Sequence, residues 1–460
     1  MNIDTNIIQI ISAEQAWHYS IFPAKCSTTS IEFYSDTSEE IEAELEILFG
    51  KKILILKCNS EEFRENLIKY YPKSKNKKTS NLNLNNSYDN FLPLIIEEAQ
   101  NIGSSDIHLE VYEEVCRIRL RIDGKLVERY KIDKNKYPAI INKIKISANL
   151  DIAEKRLPQD GRIFFKTDKE KFDIRVSILP TLYGEKVVMR LLSRSNTNID
   201  LNQLGFSNLQ IEEYHKAISK PHGIILISGP TGSGKTTTLY ATLKELNKTT
   251  SNILTVEDPV EYTLEGINQV QLKESIGLTF AQALRTFLRQ DPDIIMLGEI
   301  RDTETAQMAI RASLTGHLVF STIHTNSAWD TIHRLKDMGI PSYLLASTLN
   351  LSMAQRLIRL LCPKCKQKLA YTADTLPNIK LNIKDYYQPQ GCEHCYFTGY
   401  SGRKAIYELI SIDQHLSELI KTDNSVFDNK AYKKVLLKDA ALKLFQEGVT
   451  SLDEIYSYLL

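Results

Sequence analysis

The sequence predicts an α/β protein: a parallel sheet covered on both faces, with smaller modules before and after it. Three observations point there. The runs Ile224-Ile225-Leu226-Ile227-Ser228 and Ile294-Ile295-Met296-Leu297 are continuously apolar, as strands buried on both faces are. Helical stretches alternate with such runs from Gly205 onward, the order that builds parallel sheets. The first run also empties into a glycine-rich loop that opens a helix. At 460 residues the chain is too long for one core, and about three domains are expected.

Composition narrows the function classes. The chain is 42% hydrophobic and 25% charged, ordinary for a globular protein. Its 57 basic and 57 acidic residues cancel, so no global field recruits nucleic acid or acidic lipid. No stretch reaches the roughly 18 consecutive apolar residues of a membrane span. The opening MNIDTNIIQI lacks the basic and apolar regions of a secretory signal, so a reducing, cytoplasmic setting is expected. Seven cysteines, an odd number, suit that setting better than a disulfide scaffold.

Residues 1–71 read as a small α/β module. Ile31–Tyr34 and Lys52–Leu56 are strand-like, Glu39–Phe49 is apolar at helical spacing, and Ser60 opens a helix that ends near Tyr71. Residues 72–90 (PKSKNKKTSNLNLNNSYDN) are polar and nearly devoid of large apolar groups, so they read as a flexible linker. Residues 91–194 are α/β again: Val115–Arg121 alternates as a half-buried strand, Asp123-Gly124 turns, and Lys125–Tyr130 returns. A second, polar linker spans 195–204, and 205–350 is the sheet domain. A cysteine-bearing module follows at 351–408, and a helical region at 409–460 closes the chain.

Gly229-Pro230-Thr231-Gly232-Ser233-Gly234-Lys235-Thr236 fits G-x4-G-K-[ST], a phosphate-binding loop, with Thr237 as a further nucleotide-binding position. Its glycines let backbone N–H groups turn toward one centre. The helix from about Lys235 to Leu246 aims its positive end at the same point. Lys235 is expected at the β- and γ-phosphates of ATP, and the Thr236 hydroxyl on Mg²⁺. The strand Asn252–Val256 runs into Glu257-Asp258, and Ile294–Leu297 runs into Gly298-Glu299. Acids at the carboxyl ends of parallel strands lie in the crevice where such sheets bind ligands. One is expected to hold Mg²⁺ through water and the other to orient the attacking water, and spacing does not assign which. His317 and His324 flank Leu318-Val319-Phe320; a histidine so placed is more often a structural hydrogen-bonder than a catalyst.

Cys362-Pro363-Lys364-Cys365 and Cys392-Glu393-His394-Cys395 are two C-x2-C pairs separated by 26 residues. Four thiolates with no open position imply a structural Zn²⁺ rather than a catalytic or redox centre. Cys26, Cys58 and Cys116 read as small apolar residues.

Leu288 to Asp302 reads LRQDPDIIMLGEIRD, Thr255 to Tyr262 reads TVEDPVEY, and Gly316 to Asn326 reads GHLVFSTIHTN. With the phosphate loop, this ordered set resembles the type II/type IV secretion ATPases, hexameric motors of type II secretion and type IV pilus assembly, over about residues 91–410. Ser105–Glu110, Arg119–Gly124, Lys155–Arg162 and Arg175-Val176-Ser177 resemble that family's second N-terminal domain. The resemblance implies a RecA-like P-loop motor core, a preceding PAS-like α/β domain, a zinc module and a small N-terminal domain. It assigns Glu257 as general base or water-positioning group, Glu299 as the acid near Mg²⁺, and His324 as a γ-phosphate sensor. Arg162 and Arg175 become arginine fingers leaning over the nucleotide from the preceding domain.

Further implications concern partners. Members of the family act as homohexamers at the cytoplasmic face of the inner membrane. They bind a platform protein there, with an associated recruitment protein, and need no nucleic acid. The tetracysteine module is carried by secretion and pilus-extension motors and absent from retraction motors, so an assembly motor is expected. Type II secretion, pilus extension and a competence pseudopilus stay open. Residues 1–71 resemble the back half of the family's small N-terminal domain. Two readings compete with a protein-moving motor. A DNA-handling ATPase would want a basic face interleaved with aromatics, and none stands out. A zinc-stapled nucleotide switch would not need acids at two strand ends.

Overall fold

The structure, a computed structural model, describes residues 91–166, 171–193, 200–371, 383–422 and 435–459, together with 7, 10–11, 15–16, 19–27, 29–36, 41–59, 63 and 66–67. The expected linker 72–90, most of the expected helix 60–71 and residues 195–199 lie outside them.

The N-terminal part is one compact unit and the larger part of the chain a second. In the first, strands β1 (Ile21–Cys26), β2 (Ser30–Ser35) and β3 (Lys52–Lys57) form a sheet in that order, β1–β2 antiparallel and β2–β3 parallel. Helix α1 (Glu42–Phe49) is the crossover that the parallel pair requires. It stops at Gly50, whose φ of 63° lets its N–H reach back to the Glu46 carbonyl. Ile21, Phe22, Ile31, Phe33, Leu45 and Ile53 are its core.

In the second unit, helix α2 (Phe91–Asn101) precedes β4 (Asp106–Val111), β5 (Cys116–Ile122), β6 (Lys125–Ile132), α3 (Tyr137–Ser147), β7 (Gln159–Lys166), β8 (Lys171–Thr181) and β9 (Gly184–Ser193). The strands form a sheet of order β6-β5-β4-β9-β8-β7. Strict alternation in β5, CRIRLRI, sends Cys116, Ile118, Leu120 and Ile122 into the core and its arginines to the other face. Cross-strand register puts Arg162 opposite Arg175, Arg175 opposite Arg190, Arg190 opposite Asp106, and Asp106 opposite Arg121. Like charges facing one another oppose pairing. Asp106 offsets this, bound by Arg190 at 2.9 Å and Arg121 at 3.3 Å.

Four residues along β4 from Asp106, Glu110 is buried between Arg119 (2.7 Å) and Arg117 (3.0 Å). Burial pushes its carboxyl up, but the hydrogen bonds from Arg119 and Arg117 outweigh that and hold it at about 2. A pKa depressed on folding stabilises above the unfolded value of 4.5 and loses that contribution as pH falls toward 2. Glu110→Gln is expected to cost about 3 kcal/mol in urea unfolding at pH 7, because it leaves the arginines facing a neutral amide. The difference from wild type is expected to shrink as the pH drops from 4.5 toward 2.

The largest sheet has the order β12-β11-β13-β14-β10-β15-β18. Its strands are β10 (Gly223–Ser228), β11 (Ile253–Glu257), β12 (Asn268–Gln271), β13 (Ile294–Leu297), β14 (Leu318–Ile323), β15 (Leu349–Leu361) and β18 (Tyr400–Ser411). All neighbours are parallel except β15–β18. Apolar clusters lie on both faces: Leu226, Val256, Leu297 and Val319 belong to one, Ile225, Ile227, Met296 and Phe320 to the other. This is the two-sided burial that the uninterrupted apolar strands predict.

Two expected boundaries change. Residues 200–204 are not a loose linker: Leu201–Gln203 is a 3₁₀ turn capped by Asp200, and Leu201 is buried against the core. The module drawn at 351–408 is also not separate. Strands β15 and β18 that bracket it are paired along their length inside the main sheet. A strand does not stop where a cysteine motif begins, so among the described residues only the cysteine loops at the tips and the small hairpin β16 (Gln367–Ala370)–β17 (Asp385–Gln388) stand outside the main sheet. The helical region beyond 409 packs Leu416, Ile420, Leu444, Phe445 and Ile455 into the same core cluster.

Candidate nucleotide site and cysteine cluster

Four adjacent parallel strands, β11, β13, β14 and β10, deliver their carboxyl ends to one edge of the sheet. Strand β10 leads into the loop Gly229–Gly234, and the helix α5 (Lys235–Leu246), preceded by α4 (Asn208–Ile218), begins at its end. Gly229 and Gly234 have φ of 149° and 88°, a region that L side chains avoid. A Cβ on Gly229 would lie 2.6 Å from the Gln355 carbonyl, and one on Gly234 2.8 Å from Gln355 Nε2. Gly234→Ala is therefore expected to weaken nucleotide binding about five- to thirtyfold, measured by fluorescent-nucleotide titration, since strain of this kind costs roughly 1–2 kcal/mol.

The loop fits a phosphate. Lys235 is buried, and its Nζ donates to the carbonyls of Gly229 (2.7 Å) and Pro230 (3.0 Å), folded back over the loop. Burial pulls its pKa down, partly countered by Glu299. The Ser233 hydroxyl is buried without a hydrogen-bond partner. A cation satisfied by two neutral carbonyls beside an unpaired hydroxyl is a cradle suited to phosphate oxygens.

Glu257 and Glu299 occupy different environments. Glu257, at the end of β11, is 4% exposed. Its carboxylate accepts from Thr255 Oγ1 at 2.6 Å, from Gln269 Nε2 at 3.2 Å and, in a short contact, from the Tyr240 hydroxyl. Burial raises its pKa, and the bonds from Thr255, Tyr240 and Gln269 act against that rise. Glu299, just past β13, lies between Arg301, a close ion-pair partner, and His324 Nε2 at 3.4 Å. His324, one residue past β14, is half-exposed. His317 sits at the opposite end of β14 and bonds the Ala312 carbonyl through Nδ1 at 2.8 Å, so it is apart from the site.

Arg175 of β8 reaches the core. Its guanidinium donates to the Val260 carbonyl at 2.5 Å and pairs with Glu261 at 3.5 Å, on the segment that follows Glu257. Its cross-strand neighbour Arg162 instead pairs with Asp173 of its own sheet at 3.8 Å. Four polar residues of the site carry no motif in the sequence: Tyr240 and Gln269 beside Glu257, and Gln355 and Arg356 beside the loop. Arg356 is buried on β15 and donates to the carbonyls of Gln355 (3.0 Å) and Asn326 (2.8 Å). Gln355 Oε1 accepts from Thr238 at 2.9 Å. Local pattern carries little signal for the last pair, because Asn350, Ser352 and Arg359 interrupt the same strand.

Cys362, Cys365, Cys392 and Cys395 place their sulfurs within 4.8 Å of one another, with Cys365–Cys395 at 3.7 Å, Cys392–Cys395 at 3.8 Å and Cys362–Cys392 at 3.9 Å. Tetrahedral Zn–S bonds of about 2.3 Å imply S–S edges of about 3.8 Å, so the four thiols fit Zn²⁺.

A family model described as "Type II/IV secretion system protein" matches residues 83–457. The chain belongs to that family. Among its relatives, the putative type II secretion system protein E of Escherichia coli (strain K12) is 47% identical over 368 residues, 78% of this chain and 74% of that one. The type II secretion system ATPase E of Vibrio cholerae is 45% identical over 372 residues, 78% and 73% of the two chains. The type IV pilus assembly ATPase PilB of Myxococcus xanthus is 48% identical over 374 residues, 79% and 66% of the two. The structure resembles that of the pilus retraction motor PilT with bound ADP, at a TM-score of 0.53, 26% identity, and 79% and 95% coverage of the two chains. The Legionella pneumophila ATPase DotB shares the fold, with a TM-score of 0.58, 20% identity, and 80% and 95% coverage. Among the described residues, no helix is long and apolar enough to cross a membrane.

Proposed function

We propose that this chain is a homohexameric motor that hydrolyses ATP at the carboxyl edge of its main sheet and uses the energy to assemble a pilus or pseudopilus, or to drive secretion, through an inner-membrane platform. The chain is an ATPase of its family. The observation that supports the motor reading best is the convergence of the phosphate loop with Glu257, Glu299 and His324 at the ends of four neighbouring strands.

In this reading the amides of Gly229–Gly234 and the N-terminus of α5, with Thr237 in its first turn, hold the phosphates. Lys235 leaves the Gly229 and Pro230 carbonyls to pair with the β- and γ-oxygens. Thr236 and Glu299 would hold Mg²⁺, which would supply charge neutralisation at the phosphates. Glu257 accepts a proton from the attacking water or fixes its direction. A carboxyl with a raised pKa is the better base near neutral pH. His324, beside Glu299, senses the γ-phosphate. Arg162 and Arg175 supply positive charge as that phosphate leaves, and the domain of residues 91–194 carries them toward or away from the site as nucleotide turns over.

Zn²⁺ held by Cys362, Cys365, Cys392 and Cys395 ties the tips of β15 and β18 together. The motor binds a platform protein and a recruitment protein at the cytoplasmic face of the inner membrane, with no requirement for nucleic acid. Relatives of comparable identity carry both secretion and pilus names, so both destinations stand.

Two measurements test this. Turnover per chain in fractions separated by size is expected to reside in the hexamer; full turnover in a monomer would remove the hexamer from the account. Metal analysis is expected to find one zinc per chain. Cys392→Ser is expected to abolish that zinc and lower the melting temperature by roughly 5 °C, while nucleotide affinity stays as in wild type.

A further inference from the structure

Glu257 is held by more than its own strand, and the atoms that hold it lead outward. Tyr240, on the helix that follows the phosphate loop, is 1% exposed and donates its hydroxyl to Glu257. The same hydroxyl oxygen accepts the Glu261 backbone N–H at 3.3 Å and Gln269 Nε2 at 3.4 Å. Its ring packs edge-on against Tyr262, centroids 4.6 Å apart. Gln269 repeats the pattern. Its Nε2 donates to Glu257 at 3.2 Å and to the Tyr262 carbonyl at 3.1 Å, and its Oε1 accepts the Leu264 N–H at 2.7 Å.

One hydroxyl and one amide thus join the Glu257 carboxylate to residues 261–264. That segment is also where the preceding domain lands: Arg175 binds the Val260 carbonyl and Glu261. A continuous chain of contacts results, from Arg175 through residues 260–261 and the Tyr240 hydroxyl to Glu257. A buried phenol is a stiff link, because the packed ring leaves its oxygen little freedom. Moving Glu261 shifts or frees that oxygen, and the Glu257 carboxylate then loses one of its three donors.

We infer that Tyr240 is a positioning residue that couples the docking of Arg175 on residues 260–261 to the orientation of the Glu257 carboxylate, so that movement of the arginine-bearing domain is felt at the water-activating group. The inference rests on the proposed role of Glu257 and adds to it a second residue and a direction of control. Tyr240 touches neither nucleotide nor water in this account. It acts through Glu257.

Three changes in the full-length chain test it: Tyr240→Phe, Arg175→Ala and the double variant, with Glu257→Gln as a control. Each is followed by ATP turnover against pH and ATP concentration, and by thermal melting. Tyr240→Phe keeps the ring and removes only the hydroxyl. It is expected to lower kcat about tenfold with KM near wild type. Loss of a donor to the charged carboxylate should also move the acidic limb of the kcat profile upward by about one pH unit. The decisive comparison is the double variant: Arg175→Ala is expected to lower kcat by a smaller factor in the Tyr240→Phe background than in wild type. Fold loss multiplying independently, or a wild-type pH profile in a folded Tyr240→Phe chain, would overturn the relay. Full activity in Glu257→Gln would instead remove the reading of Glu257, and the relay with it.

Discussion

Lys235→Ala is expected to reduce ATP turnover by at least about 10³-fold and to weaken ATP binding, because this ammonium has no substitute in the loop. It is buried, and without nucleotide it is satisfied by two neutral carbonyls. A lysine so placed is held below its ordinary pKa by burial and gains most when an anion arrives. The sign of the pH effect follows. Phosphate binding favours the charged form, so affinity is full while Lys235 is protonated and falls as pH rises through its lowered pKa. Nucleotide titration from neutral to alkaline pH is therefore expected to show affinity lost earlier than an unperturbed lysine would lose it. Lys235→Arg keeps the charge but not the shape of the buried space, and is expected to recover little turnover.

Glu299→Gln is the second large effect. Glu299 is the hub of a polar trio with Arg301 and His324, and it also faces Lys235. Neutralising it removes the carboxylate proposed to hold Mg²⁺ and leaves Arg301 with Asp258, at 4.0 Å, as its remaining acidic partner. Turnover is expected to fall by roughly 10²–10³-fold. Half-saturation by Mg²⁺ should rise, while the binding of nucleotide without metal should hold or tighten, because a negative charge near the phosphates is gone. A variant that loses turnover with an unchanged Mg²⁺ response would move Glu299 out of the metal's neighbourhood and leave it as the partner of Arg301 and His324.

Much of the site was legible because its parts are local. The apolar strand, the glycine loop and the helix are consecutive, and the helix spans Lys235–Leu246 as its pattern predicts. Glu257 and Glu299 could be placed at strand ends because their strands are short, largely apolar runs. What local pattern does not carry is register and long-range pairing. Gln355 meets Thr238 across 117 residues, and Arg175 meets Val260 across 85. The row from Arg162 through Arg175 and Arg190 to Asp106 exists only once three strand pairings are set. Tyr240 belongs to no sequence motif. Its hydroxyl gains meaning from where Glu257 and Glu261 arrive. The cysteine motifs were legible for the same reason as the loop, but they drew attention away from β15 and β18, whose pairing places most of that stretch inside the main sheet.

Steady-state hydrolysis of Mg·ATP by the purified full-length chain, wild type beside Glu257→Gln, with nucleotide affinity measured in parallel, bears most directly on the central claim. The account predicts phosphate release by wild type and a loss of about 10²-fold or more in the variant at unchanged affinity, because the carboxylate serves the attacking water and not the bound phosphates. Equal turnover by the two chains would contradict it.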